Sequence, residues 1–302
     1  MNTKVTKKMK QSAAMTASRS PFQDSIRRLR RNKVAMVAFW VLIAIILLSV
    51  FADFIAPYDY YKQSYGELFT YPSLKHLFGT DNVGRDLLSR VLKGGQISLL
   101  ISFLSVAIAV VAGGLLGATA AYFEGSKIGN IYSTIVMRLT DVVMTLPSFL
   151  WAIAVAAVLG TGIMNTALAI TVGTIPQFVR IIYASVLTVK NEEYIEASRA
   201  TGSGHMRILF RDVIPNCLAP LIVNVTLRLG IALMNISALS FIGLGVEAPT
   251  PEWGSIMSAG RQFIRDFYPI ILFPAIAIGI TLIAFNILGD GLRDAMDPRL
   301  KQ

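Results

Sequence analysis

Apolar residues in this chain gather into long unbroken runs, without the strict alternation of a half-buried strand or the narrow stripe of a surface helix. Several of the runs reach the ~20 residues that a helix needs to cross the hydrocarbon layer of a bilayer. Six spans are predicted, at about 35–56, 98–121, 134–159, 165–187, 215–244 and 269–288. The pattern is that of an all-α polytopic membrane protein, and the lack of alternation argues against a β-barrel. Pro147 lies in the third span, Pro176 in the fourth, and Gly113, Gly114 and Gly117 in the second. Proline frees a backbone carbonyl and small residues let helices approach closely, so these spans are expected to pack on protein rather than stand singly in lipid. The fifth run is long for one crossing, which tilt, a kink or an extramembrane portion would absorb.

Charge supplies the orientation. The net charge of +10 is local: Lys4, Lys7, Lys8, Lys10, Arg19, Arg27, Arg28, Arg30, Arg31 and Lys33 precede the first span, opposed only by Asp24. Such a cluster holds a segment on the cytoplasmic side. Residues 1–34 are therefore predicted to be a basic cytoplasmic arm and 35–302 the membrane body. Six crossings return the C-terminus to the cytoplasm, place 57–97 and 245–268 outside, and leave a loop at 188–214 and a tail at 289–302 inside. A nucleic-acid arm is disfavoured, since no aromatic or fold signal for base recognition accompanies the charge. A cleaved signal peptide is disfavoured too, because the charged region is too long and the apolar run does not stop at a cleavage site. Overall, 54% of the 302 residues are hydrophobic and 15% charged, so lipid is the main solvent. Cys217 is the only cysteine, which removes an intrachain disulfide and a cysteine-based metal cluster.

Polar residues inside spans are costly in hydrocarbon and are expected to face protein or water. Arg138 and Asp141, three apart on one helix, are placed to neutralise each other or to gate. Asn224, Arg228 and Asn235 share one helical face, facing either a water-filled path or hydrogen bonds to another helix. Outside, Gly79, Asp81, Gly84 and Asp86 suggest a turn held by Asx hydrogen bonds with Arg85 or Arg90, against the alternative of solute contact. An enzyme is disfavoured: His76 and His205 are the only histidines and fall on opposite predicted sides, leaving no catalytic constellation. Gly125-Ser126-Lys127 lacks the upstream glycine and following hydroxyl of a P-loop, so ATP hydrolysis by this chain is not expected.

The cytoplasmic stretch from Asn191 to Asn216 has a structure of its own. Asn191 is predicted to cap a helix with Glu192 and Glu193 in its first turn, Gly202 to end it, and Ser203 to begin a second short helix that stops before Pro215. Small residues Ala197, Ser198 and Ala200 would let another surface come close. The result is either a docking knob or an amphipathic connector at the lipid interface.

Glu196-Ala197-Ser198, three residues, Gly202, then Ile214-Pro215 resembles the EAA loop of permease subunits of ATP-binding-cassette importers. The resemblance covers nearly the whole chain. It narrows to the C-type subunit of dipeptide, oligopeptide and nickel permeases through Phe78-Gly79-Thr80-Asp81, Gly84 to Arg90, Leu239 to Gly245, Pro249-Thr250-Pro251-Glu252-Trp253-Gly254 and Gly289 to Pro298. The Pro249–Gly254 string with Pro215 to Pro220 is most similar to the dipeptide and glutathione branch. This resemblance implies the type I importer permease fold in a bacterial inner membrane. It also implies coupling to cytoplasmic ATPases through Glu193, Tyr194, Glu196, Ala197, Ser198, Ala200, Gly202, His205 and Pro215. No cofactor is expected on this chain, with ATP and Mg on two partner ATPases. The further implied partners are a homologous second permease and an extracytoplasmic solute-binding protein. That protein is expected at Glu252 and Trp253, Trp253 serving alternatively as an interfacial anchor. Dipeptides are the expected solute, ahead of glutathione, longer peptides and nickel or its chelates. A passive channel is the remote alternative.

Overall fold

The computed structural model describes residues 21–296, with side chains from Asp24 onward. Lys4, Lys7, Lys8, Lys10 and Arg19 of the basic arm, and Asp297 and Pro298 of the C-terminal string, lie outside the described residues. Within them the protein is all-helical, with two isolated bridges, Thr80 with Asp86 and Glu124 with Ser126, in place of strands.

The chain begins with α1 (Pro21–Arg31), α2 (Lys33–Val50), the single turn α3 (Ala52–Ile55) and, after an irregular outer segment, α4 (Leu87–Tyr122). Next come α5 (Lys127–Met144), α6 (Ser148–Leu159) and α7 (Ile163–Val189). The loop after α7 holds α8 (Glu193–Ala200) and α9 (His205–Arg207), followed by a π-helical turn, Ile208–Val213, and a 3₁₀ turn, Ile214–Cys217. These run directly into α10 (Leu218–Phe241), and α11 (Trp253–Gly260) and α12 (Pro269–Met296) complete the order.

Five helical stretches are long and apolar enough to cross a membrane, and α5 with α6 make a sixth if the pair counts as one span. α4 and α7 form the central pair, joined by α10; α12 lies across α10 and α2. Small residues set this closeness. A Cβ at Gly113 would lie 2.7 Å from the carbonyl oxygen of Ile175, and Gly117, one turn on, meets the backbone of Val179 still more closely. The two helices therefore pack backbone to backbone, as small-xxx-small pairs allow in membranes. Around this crossing Ile101, Ala109, Phe178 and Ile236 are fully or almost fully buried.

Four expectations are corrected. The second span starts at Leu87, not near 98, because Asp86 caps α4 by accepting from the Ser89 amide at 2.8 Å and the first turns are buried against the outer segments. The third span is broken: α5 and α6 meet at 88° across Thr145–Pro147. Pro147 has no N–H to give and restricts Leu146 before it, and the indole N–H of Trp151 donates to the Val143 carbonyl at 2.8 Å, pinning the bend. The second short helix of the loop does not stop before Pro215 but continues through the π and 3₁₀ turns into the fifth span. The segment 289–296 is no loose tail, since it prolongs α12 to Met296 and packs there against α1.

Candidate functional site

The loop between α7 and α10 folds into a projecting knob. α8 begins at Glu193 with Glu192 in the cap position, and Asn191 is not its cap: the Asn191 side chain instead donates back to the Leu187 carbonyl at 3.2 Å. Glu193 and Glu196 occupy the first turn, where carboxylates suit the positive helix end. Gly202 ends the helix with φ of 78°, the left-handed conformation that glycine adopts without a side-chain clash. Nothing lies within 4 Å of where a Gly202 Cβ would sit, so that face opens outward.

One residue anchors the knob. Ile195 is fully buried among Ile208, Leu209, Val213, Cys217 and the C-terminal ends of α4 and α7, including Ala118, Tyr122, Ile182 and Val186. Its neighbours Glu193, Tyr194, Glu196, Ala197 and Ala200 are exposed, Ser198 is half-buried, and His205 and Pro215 are exposed. Partial desolvation at the knob surface, with the Glu192 charge adding to the effect, raises the Tyr194 phenol above its ordinary pKa. The knob also grips α4 through polar contacts. The Tyr122 hydroxyl lies 3.3 Å from His205 Nδ1, and the Arg199 guanidinium stands over the Tyr122 ring at 5.9 Å. Ile195, Tyr122 and Arg199 escape a motif reading because none is part of the Glu-Ala-Ser pattern; the signal available is the lone aliphatic side chain in an otherwise polar first turn and a half.

Between knob and span the helix changes pitch. Pro215 cannot donate to the ladder, and the chain passes through π and 3₁₀ turns over 208–217, the kind of irregularity found at hinges.

On the polar face of α10, Asn224 is half-buried and its side chain donates to the Pro220 carbonyl of its own helix at 2.8 Å. Arg228 and Asn235 are half-buried and make no hydrogen bond or ion pair to the described residues. The Arg138–Asp141 pair is corrected. Asp141 bonds Arg180 on α7 at 2.5 Å, tying α5 to α7, while Arg138 is exposed.

In the 245–268 segment, the structure moves Glu252 and Trp253 from the surface to the interior. Glu252 is fully buried and Trp253 is 2% exposed, so neither is open to a partner or to the lipid interface. The Glu252 carboxylate accepts from the Ser98 hydroxyl at 2.9 Å, the Ser237 hydroxyl at 3.4 Å and the Ser255 amide at 2.9 Å, capping α11 in a reciprocal box with Ser255. The Trp253 indole donates to the Val91 carbonyl at 2.8 Å. The string is thus a wedge driving α11 between α4 and α10.

The acidic-basic turn forms as read. Asp81 accepts from the Val83 and Arg85 amides at 3.0 and 2.9 Å and pairs with the Arg85 guanidinium at 2.6 Å, with Arg90 at 3.6 Å. His76 extends it, with Nδ1 2.8 Å from Asp86 and Nε2 3.3 Å from Glu67. Glu67 also bonds Lys75; these partners lower the Glu67 carboxyl and raise the Lys75 ammonium from their ordinary pKa values. Aromatic pairs clasp the 57–86 segment to its surroundings: Phe69 meets Phe263 at 4.8 Å and Tyr71 meets Phe267 at 4.9 Å in the 245–268 segment, while Phe78 stacks on Phe273 of α12 at 3.9 Å. Among the described residues no group of three or more His, Cys, Asp or Glu side chains is placed to hold a metal ion.

Two family models match the chain: "Binding-protein-dependent transport system inner membrane component" over residues 113–302, and "N-terminal TM domain of oligopeptide transport permease C" over 20–72. A di/tripeptide transport system permease protein of Pseudomonas aeruginosa is 41% identical over 93% of this chain and 93% of its own. A glutathione transport system permease protein of Escherichia coli is 42% identical over 94% of this chain and 92% of its own. Among solved structures, an inward-facing form of the MetNI methionine ABC transporter superposes with a TM-score of 0.55 at 21% identity, covering 69% of this chain and 97% of the other. That likeness is one of fold.

Proposed function

The chain belongs to the family of inner membrane components of binding-protein-dependent transport systems, and on that premise we propose that it is one permease subunit of an ATP-driven importer of dipeptides or other short peptides. It has the type I importer permease fold and is a multi-pass protein of the bacterial inner membrane. The observation that carries the proposal is the α8 knob: a solvent-open face of Glu193, Tyr194, Glu196, Ala197 and Gly202, fixed from behind by one buried isoleucine.

Such a knob gives a partner both a surface to hold and a rigid handle to move. The partners are two cytoplasmic ATPase subunits or domains, with ATP and Mg bound there and not on this chain. A second, homologous permease completes the path, and an extracytoplasmic binding protein delivers the solute. Both termini and the knob lie on the cytoplasmic side, as the basic residues before α2 favour. Closure of the ATPases displaces α8. The movement passes through Ile195 and the Tyr122–His205 contact to α4, and through the irregular turns at 208–217 to α10. Rotation of these helices against the second permease then alternates access to the path. Glutathione is the second reading, favoured by a relative as similar as the peptide permease.

The test is uptake into vesicles holding the complete complex, with its binding protein outside and ATP trapped inside. Labelled alanyl-alanine is expected to accumulate only with ATP. Flux without ATP would make the protein a channel, and ATP-dependent uptake of glutathione but not alanyl-alanine would establish the second reading.

A further inference from the structure

The break in the third span opens a cavity that neither the knob nor the outer cap accounts for. It has a volume of about 320 Å³ and is lined by the chain from Val143 to Ser148 and by Gly173 and Gln177 of α7. This is within the ~300–1,000 Å³ range of small-molecule sites. Two close fits hold its walls in place: a Cβ at Gly173 would lie 2.6 Å from the Ser148 carbonyl oxygen, and Asp141 bonds Arg180 at 2.5 Å just beyond. Gln177 stands at the middle of α7, one residue after Pro176.

Its carboxamide is the unusual element. Gln177 makes no hydrogen bond to the described residues, and its Oε1 is shielded without a protein partner. Gln177 is half-buried, and a shielded carbonyl oxygen left unpaired is costly and calls for a role. Irregular backbone at membrane depth is tolerated where it lines a cavity, and interrupted helices near the midplane are where transporters seat their solutes.

We propose that Gln177 and the broken turn 144–148 form a subsite for one peptide residue of the passing solute. Swung about its soft terminal torsion, the carboxamide accepts the N–H and donates to the C=O of a residue in extended conformation, whose two groups point the same way. Met144 and Leu146 give the side chain an adaptable apolar wall, so the subsite reads backbone and tolerates sequence. The central cysteine of glutathione carries both groups, and in a dipeptide the second residue offers its amide N–H with a carboxylate oxygen in place of the carbonyl. The inference rests on the peptide-import reading and deepens it.

The experiment uses the complete complex in vesicles with trapped ATP, its binding protein and labelled alanyl-alanine. If the wild type fails to import, the import reading falls and not the subsite. If it imports, Gln177→Leu is expected to lower the maximal rate about tenfold, the worth of one hydrogen bond, with the half-saturating concentration unchanged. Its thermal midpoint should hold or rise, since an unpaired amide has been removed. Import at the wild-type rate overturns the proposal. Should Gln177→Leu not assemble, Gln177→Cys with Cys217→Ala supplies a second readout. Alanyl-alanine with binding protein and a non-hydrolysable ATP analogue is expected to protect the introduced thiol from a methanethiosulfonate reagent. Unprotected labelling overturns the subsite.

Discussion

At the scale of single residues, burial separates those that hold the fold from those that meet a partner. Gly202 has a left-handed backbone and open space around its missing side chain, so a substitution there strains the turn by about 1 kcal/mol without meeting any other part of the chain. Gly202→Trp is therefore expected to assemble normally, to import at least about tenfold more slowly and to leave the ATPases hydrolysing ATP; unchanged uptake would remove the knob from the coupling. Glu252 is the opposite case. Glu252→Ala deletes the α11 cap and leaves the Ser98 and Ser237 hydroxyls buried without their acceptor. A loss of about 2–4 kcal/mol is expected, seen as a lower melting midpoint of the purified complex. The assembled fraction should need no more binding protein than the wild type, and a selective loss of binding-protein response would restore Glu252 to an interface.

At the scale of elements, the central crossing depends on two glycines. Gly117→Leu forces a side chain into the Val179 backbone, where no rotamer can relieve the contact. α4 and α7 must separate, which should abolish stable assembly, whereas Gly114→Leu on the open face should be tolerated; a detergent-stability assay comparing the two decides it. Such elements were legible in the sequence to the degree that local chemistry determines them. Apolar length located the five long spans and the α5–α6 pair, while Pro147 read only as a sign that its helix packs on protein. The 88° bend was not legible, because it depends on Trp151 reaching back to Val143 and on Gly173 receiving Ser148 from another helix. The early start of α4 was hidden for a similar reason: Arg90 and Lys93 read as loop residues until the outer segments supply Asp81 and Asp53 to pair with them. Asp141 found its partner across helices at Arg180 instead of along its own, a choice invisible to sequence spacing. The motif likewise located the knob but not Ile195, whose importance lies in the contacts of α4, α7 and the turns before α10.

At the scale of the molecule, knob and outer cap lie at opposite ends of the same bundle, and the internal position of Trp253 redirects the search for the binding-protein surface. The cap joins two segments through the Phe69–Phe263 and Tyr71–Phe267 ring contacts, and the Asp81–Arg85 and His76–Asp86 contacts brace the first of them, so it presents a preformed face. On it Leu74 is fully exposed and Tyr65 is 75% exposed, flanking the Glu67–Lys75 pair. An apolar side chain in full view beside a polar rim is the arrangement expected of an interface anchor, and truncating or charging such an anchor commonly costs more than 1 kcal/mol of binding. Leu74→Arg is therefore expected to raise the concentration of binding protein needed for half-maximal uptake at least about fivefold, with the maximal rate and the melting midpoint unchanged, because Leu74 contributes nothing to the interior. An unaltered concentration dependence would place the docking surface elsewhere. A fall in maximal rate alone would mean that the cap acts on the helices beneath it and not on the approaching protein.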